Sequence, residues 1–288
     1  MTSTSPTTPP TAPPKRIFPK TTGLAALWRH RQPLTVLVRR DLAVKYQATV
    51  MGYLWSLIEP LGLAAIYWFI FGILYDRGGL PGNVEYPLYI VSGIFAWMWI
   101  SSAMTESSTS LTSQSTLITT MRVPREVFPV ARVFARFAEF LAGVPILLLF
   151  VVLFNGHFGL HTVNMLFAIV LQFMILTGLS FILASVNVLY RDVQRFMRLV
   201  MRCLFYGSPI IYPLEKVVGA DSPIAGWAQT LYQFNPFVGI MQLHRSAWIP
   251  EITASWLQVG VSVGFSVFIL FFGRWLFYKM EPAVLKEL

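Results

Sequence analysis

The stretch "VNMLFAIVLQFMILTGLSFILASVNVL", residues 163–189, contains no charged side chain and is longer than the roughly 20 residues that carry a helix across a bilayer. The rest of the chain has the same character. Of its 288 residues, 55% are hydrophobic and only 12% are charged, whereas a soluble domain has about 25% charged residues. The composition therefore predicts an integral membrane protein and excludes a soluble globular domain.

Similar apolar runs on both sides of this stretch predict an all-α integral membrane fold with six transmembrane helices. One transmembrane domain is expected over 27–288. The six spans are expected at about 51–75, 86–106, 127–154, 163–189, 196–214 and 254–279.

The positive charges predict the orientation of the spans. Nineteen of the 22 lysine and arginine residues fall in the N-terminal region, in the loops 107–126 and 190–195 with their flanks, and near the C-terminus. Such a bias marks cytoplasmic segments. It predicts a multi-pass protein of the bacterial cytoplasmic membrane with both termini in the cytoplasm. The basic excess is interpreted as membrane orientation and contact with anionic membrane lipids, and not as nucleic-acid binding.

The N-terminal region is expected to contain a tail and an interface helix. Residues 1–26 are rich in proline, threonine and serine at their start, which predicts a disordered cytoplasmic tail. Residues of about 33–47 combine an apolar side with several charges and predict an amphipathic helix in the membrane interface. The alternative is an ordinary helix packed on a soluble partner.

Nothing in the sequence indicates a catalytic or metal site. It contains no G-x-x-x-x-G-K-[ST] loop for nucleotide phosphates and no cluster of cysteine and histidine. His157 and His161 are spaced i,i+4 but have no carboxylate nearby. We therefore expect no catalytic residue, no metal and no cofactor on this chain.

Three acidic residues lie in or near the spans, where charges are costly and often functional. Glu139 can pair with Arg136 one helical turn away. Glu59 and Glu106 are expected either to face a polar conduit or to have a structural role.

Aromatic side chains predict a surface that could follow a sugar polymer, because aromatic rings stack on the apolar faces of sugars. The first span carries a stripe of aromatic and small residues. The alternative is that these rings belong to the interfacial belt or to ordinary packing. The aromatic conduit candidates are Tyr53, Tyr67, Phe71, Tyr75, Trp97, Trp99, Tyr206 and Tyr212.

Five segments in the same order resemble a known family, the ABC-2 type permeases that export polysaccharides, such as those for O-antigen, teichoic acid and galactan. The segments are "LVRRDLAVKYQATVMGYLWSLIEPL" (37–61), "ITTMRVPREVFPVARV" (118–133), "NVLYRDV" (187–193), "SPIIYPLE" (208–215) and "LYQFNPFVGIMQLHR" (231–245).

This resemblance implies a homodimer that works with two copies of a separate ATPase, on which ATP and Mg are bound. It implies a coupling helix between spans two and three and a second cytoplasmic contact before span five. The coupling residues would be Arg122, Val123, Pro124, Arg125 and Glu126, with Tyr190, Arg191 and Asp192 at the second contact.

The resemblance also implies the cargo, a glycan on a polyprenyl-diphosphate lipid. Arg39, Arg40 and Lys45 would lie near the entry of the lipid head group, where positive charge suits a diphosphate. Asn235 and Pro236 would belong to the outer gate, which is formed by short helices between spans five and six. The family often has an amide in place of Glu59, which leaves the role of that residue open.

Two other functions are compatible with parts of the sequence. One is an ABC-2 exporter of drugs or small amphiphiles, which would share the topology. The other is a membrane enzyme acting on lipid-linked sugars, which would be active without an ATPase.

Overall fold

The computed structural model describes residues 28–74, 85–120, 123–219 and 222–287. All regular secondary structure within these ranges is helical. The predicted tail at 1–26 and the predicted site residues Tyr75 and Arg122 lie outside the described residues.

Ten α-helices form the described part of the chain. They are α1 Arg31–Tyr46, α2 Trp55–Tyr67, α3 Tyr86–Ser108, α4 Ser115–Thr120, α5 Val127–Leu153, α6 Val163–Leu189, α7 Val193–Tyr206, α8 Gly226–Gln233, α9 Pro236–Ser246 and α10 Trp256–Glu287. A 3-10 turn at Gly52–Leu54 precedes α2, and a π-helical turn at Trp68–Leu74 extends it.

Within the described residues, five helical segments are long and apolar enough to cross a membrane, which confirms a multi-pass membrane protein. They are Gly52–Leu74, Tyr86–Ser108, Val127–Leu153, Leu160–Leu189 and Trp256–Glu287. Four agree with the predicted spans within three residues at either end. The last helix extends to Glu287, beyond the predicted end at 279, so its C-terminal part continues past the apolar run.

The predicted fifth span, 196–214, is not one continuous helix. The helix α7 has 14 residues and is about 21 Å long at 1.5 Å per residue, which is short of the roughly 30 Å of a bilayer core. It carries Arg195, Arg198 and Arg202 and ends at Tyr206. The chain then leaves helical geometry because Gly207, Pro209 and Pro213 disfavour its continuation.

Side chains from other helices satisfy the backbone of this break, residues 207–213. The Arg245 guanidinium donates to the carbonyls of Pro209 and Ile210, and it lies 3.7 Å from the centre of the Tyr89 ring. Two tyrosine hydroxyls serve the next carbonyls, Tyr86 to Ile211 at 2.5 Å and Tyr89 to Tyr212 at 2.7 Å. Irregular backbone of this kind is tolerated at membrane depth where protein surrounds it. Residues 208–211 are accordingly buried.

A short buried helix, α9, supplies Arg245. Its N-cap is Asn235, whose Oδ1 accepts a hydrogen bond from the Phe237 amide at 3.0 Å, and Pro236 follows in the first helical position. Every residue of α9 from Phe237 onward is buried. The helix therefore lies inside the protein, where it packs against α6, α10 and α3.

The helices α6 and α10 cross in close contact at Gly178 and Gly273. A side-chain carbon at Gly273 would collide with the carbonyl of Gly178. A carbon at Gly178 would lie 2.5 Å from the carbonyl carbon of Ile269. Only glycine allows the two backbones to come this close.

We expect Gly178→Ala to destabilise the protein by about 1–3 kcal/mol, the usual cost of forcing extra atoms into a packed interface. Heat-induced unfolding of the detergent-purified protein measures the effect. Gly264→Ala on α10 is the matched control, because a carbon added at Gly264 meets no atom within 4 Å. Equal midpoints for the two variants would contradict the prediction.

Candidate functional site

An ion network joins α1 to α3 and α5 at one end of the helix bundle. The Lys45 ammonium lies 3.4 Å from Glu106 and 3.2 Å from Glu139. The Arg136 guanidinium is paired with both carboxylates and is 3.1 Å from Glu106. The Tyr46 hydroxyl donates to Glu139 at 2.6 Å. The predicted pair of Arg136 and Glu139 is thus confirmed, as part of a larger cluster.

A second pair continues this network along α1. The Arg132 guanidinium lies 3.1 Å from Asp41, to which the Gln114 amide also donates at 3.4 Å. Burial raises the pKa of the Asp41 carboxyl, and the positive charge of Arg132 opposes that rise. The network contains three cations and three carboxylates, so its charges balance.

The candidate head-group residues on α1 fall into two environments. Arg39 and Arg40 are exposed, on the side of α1 that faces away from the bundle. Lys45 instead belongs to the ion network, where Glu106 and Glu139 neutralise its charge. The two arginines therefore present exposed positive charge on this helix.

Glu59 borders a small cavity beside the network. The Glu59 side chain itself is exposed on α2, while Pro60, the next residue, is buried. The cavity has a volume of about 40 Å³, enough for ordered water. Its other polar lining comes from Lys45, Tyr46, Ser56, Ser102, Arg136 and Glu139.

Four predicted conduit aromatics from three elements meet in one cluster, which also includes Phe205. The Tyr67 ring contacts Phe71 at a centroid distance of 6.2 Å and Phe205 at 5.8 Å. Phe205 in turn contacts Trp97 at 5.6 Å and Tyr206 at 5.2 Å. Tyr67 and Phe71, two of the aromatic residues of the predicted stripe, therefore lie on the side of the first span that contacts α7.

The other predicted aromatics lie elsewhere. Trp99 is buried against Phe137 and Phe140. Tyr53 is exposed at the start of the first span, and its ring is 4.7 Å from that of Tyr46. The Tyr212 hydroxyl donates to the carbonyl of Tyr206 at 2.6 Å, which ties the break to the end of α7.

The predicted coupling segment, as far as it is described, is largely buried within the chain. Val123 is half-buried, whereas Pro124, Arg125 and Glu126 are buried. The two charged side chains face the last helix: Arg125 is paired with Glu281 at 2.5 Å, and Glu126 with Arg274 at 3.6 Å.

The second predicted cytoplasmic contact is open. Tyr190, Arg191 and Asp192 are all exposed in the turn between α6 and α7. Arg191 lines a polar groove, together with residues of the α3–α4 connection and the end of α10. The other lining residues are Thr109, Thr112, Ser115, Asn187, Gln194 and Glu287.

Several residues of structural importance were missed by sequence reasoning. Tyr86, Tyr89 and Arg245 cap the break, and Arg274 and Glu281 pair with the coupling segment. Arg245 had a visible signal, since it is one of only three basic residues in the segments predicted to face outward. The others had none, because their partners are distant in sequence.

No group of three or more potential metal ligands was found within residues 28–74, 85–120, 123–219 and 222–287. The charged clusters that the described residues form are ion pairs between arginine or lysine and carboxylates. Their evident role is to connect helices.

The sequence was compared with protein families and with individual known proteins. Residues 32–249 match the family of ABC-2 type transporters. Over 122 residues, 42% of this chain, the sequence is 34% identical to the O-antigen export system permease protein RfbA of Klebsiella pneumoniae; the match spans 46% of that protein, about half its length.

Two further matches, which cover more of the chain, are also to proteins named for polysaccharide export or transport. The O-antigen export system permease protein RfbA of Myxococcus xanthus is 24% identical over 76% of this chain and 81% of its own length. The polysialic acid transport protein KpsM of Escherichia coli is 25% identical over 88% of this chain and 96% of its own length. The family match covers most of the chain, including the ion network, the coupling segment and the break, and the chain therefore belongs to the ABC-2 type transporter family.

Proposed function

We propose that this chain is the membrane subunit of an exporter that moves a polysaccharide on a polyprenyl-diphosphate lipid across the bacterial cytoplasmic membrane. The observation that carries the proposal is the family match over 32–249, together with relatives that are named for O-antigen export and polysialic acid transport. The helical, multi-span architecture is the one that such a task requires.

We infer that the motor is a separate ATPase, two copies of which bind ATP and Mg and act on a homodimer of this chain. The lack of a phosphate-binding loop in the sequence supports this division. The ATPase would contact the exposed turn at Tyr190, Arg191 and Asp192 and the segment that runs from Arg122 to Glu126.

The proposed topology has six crossings and two cytoplasmic termini. The fifth crossing would be discontinuous, with α7 followed by the break at 207–213. The distribution of lysine and arginine supports this orientation. The short helices α8 and α9, with Asn235 and Pro236 between them, would form the outer gate beside the break.

The path for the glycan would run between the two protomers. The ring cluster of Tyr67, Phe71, Trp97 and Tyr206 supports a role for this region, because aromatic faces stack on sugars without demanding one sequence of sugars. Glu59, which is exposed on the same helix as Tyr67, would add a hydrogen-bond acceptor to the surface that lines this path.

The head group of the lipid would enter near α1. Arg39 and Arg40 are exposed and adjacent in sequence, and their two positive charges suit a diphosphate. Lys45 would contribute less than the sequence predicts, since two carboxylates already neutralise it.

Reconstitution in vesicles tests the proposal. With its ATPase and a lipid-linked glycan inside the donor compartment, we expect ATP-dependent appearance of glycan on the other side. We expect neither transport nor ATP hydrolysis from this chain alone. Transport of small amphiphiles without glycan would instead indicate a drug-type exporter, and turnover of the lipid-linked sugar by this chain alone would indicate an enzyme.

A further inference from the structure

Two ion pairs of opposite polarity connect the coupling segment to the last helix. Arg125 Nη1 lies 2.5 Å from Glu281 Oε1, and Arg274 Nε lies 3.6 Å from Glu126 Oε2. Arg274 and Glu281 are two turns apart on α10 and therefore lie on the same side of that helix. Sliding the segment along α10 would bring like charges together, so the two pairs define a single register.

In both pairs the partner from the coupling segment is buried, whereas Glu281 and Arg274 on the last helix are partly exposed. The side chains of Arg125 and Glu126 are only 4% and 3% exposed. Burial raises the pKa of Glu126, and the charge of Arg274 opposes that rise. A buried charge that loses its partner is strongly destabilising. Separation of the coupling segment from the last helix would therefore be costly.

An apolar core lies next to the coupling segment and includes residues of α1, α4, α5, α6 and α10. The loop before α4 and the start of α5 contribute Leu111, Val127 and Phe128, and α10 contributes Phe277 and Val284. Leu37 of α1 and Phe181 of α6 belong to the same core. These elements are therefore packed as one unit, in which α10 participates up to its last turns.

We propose that Arg274 and Glu281 are positioning residues that fix the coupling segment to the last helix, so that a displacement of the segment moves the inner end of α10 with it. This inference rests on the proposed function, in which a partner ATPase displaces that segment. It assigns the Arg125 and Glu126 side chains to this internal connection and leaves contact with the ATPase to the rest of the coupling segment, where Val123 is only half-buried.

Charge exchange tests the proposal. We expect Arg125→Glu and Glu281→Arg, each alone, to accelerate hydrogen exchange of the amides in 111–120 and 123–128 by about tenfold or more, because each leaves two like charges buried. The double variant restores a pair of opposite charges and should return exchange to within about threefold of the unmodified protein. Glu281→Gln removes the negative charge but keeps the side-chain shape. Its hydrogen-exchange rates should lie between those of the unmodified protein and those of Glu281→Arg.

A second readout separates positioning from folding. With the partner ATPase present, the single variants should keep ATP hydrolysis but lose at least about tenfold in glycan exported per ATP, and the double variant should recover the ratio. Lys279→Glu, an exposed change on the same helix, serves as the control and should alter neither readout.

The outcomes are distinguishable. Single variants that exchange as slowly as the unmodified protein, or a double variant that stays as fast as the singles, would overturn the connection. Unchanged export per ATP in single variants whose exchange is faster would overturn it as well. Absence of export by the unmodified chain with its ATPase would instead refute the proposed function, and the exchange data would still decide whether the ion pairs position the segment.

Discussion

Arg245→Met will destabilise the protein by about 2–6 kcal/mol, because two buried carbonyls each lose their donor at a cost of about 1–3 kcal/mol. The Arg245 side chain is 0% exposed. Its guanidinium donates to the carbonyls of Pro209 and Ile210 and stacks on Tyr89. Methionine fills similar space but leaves both carbonyls without a donor in a region that water does not reach. Heat or denaturant unfolding of the detergent-purified protein, followed by tryptophan fluorescence, measures the loss.

Two further variants show whether the loss comes from the break. Arg245→Lys keeps the charge but lacks the planar fork that serves two carbonyls at once, so we expect a smaller loss. Arg39→Met removes an exposed arginine on α1 and should change stability by no more than about 0.5 kcal/mol. If Arg245→Met were as stable as Arg39→Met, the capping role of Arg245 would be refuted.

Arg136→Leu should cost a similar amount, about 3–5 kcal/mol, at the other end of the bundle. The Arg136 side chain is 1% exposed and pairs with Glu106 and Glu139. Without it, Glu139 keeps only Lys45 as a paired cation, and Glu106 keeps Lys45 and the more distant Arg132 at 3.9 Å. Unfolding of the purified protein is again the measurement.

A double variant that removes one of the two carboxylates tests whether the loss of stability in Arg136→Leu comes from excess negative charge. Glu139→Gln in the Arg136→Leu background removes one uncompensated carboxylate while keeping an acceptor for Tyr46. The double variant should therefore be more stable than Arg136→Leu alone. A double variant whose loss equals the sum of the two single losses would show that the two residues do not interact.

The spans could be predicted from the sequence because bilayer thickness fixes the length of an apolar run. The stretches around Tyr86–Ser108 and Val127–Leu153 are of this kind, and their bounds were expected within three residues. The pair of Arg136 and Glu139 was equally predictable, since residues three apart on a helix face each other.

The break at 207–213 could not be predicted from hydropathy. The mean hydropathy of residues 196–214 is apolar. Only the glycine and two prolines at Gly207, Pro209 and Pro213 indicate an interruption of the helix. What makes the interruption tolerable is a set of donors that lie far away in sequence, on α3 and α9. Local periodicity contains no information about which helices become neighbours.

The same limitation applies to the candidate site. A cluster of arginines in the coupling segment predicts positive charge at a surface, whereas Arg125 is buried against Glu281, 156 positions later. Lys45 was expected to serve a diphosphate and lies instead between two carboxylates of α3 and α5. Both differences arise from tertiary pairing, which overrides what a side chain could do in isolation.

The break also constrains how the polypeptide is made. Tyr86 and Tyr89 are synthesised before residues 207–213, whereas Arg245 is synthesised after them. Until it arrives, the carbonyls of Pro209 and Ile210 have no side-chain donor, and the short, arginine-bearing α7 has little tendency to enter lipid by itself. The break therefore reaches its final form only after α9 has been made, and a chain that ends before α9 lacks the donor for these two carbonyls.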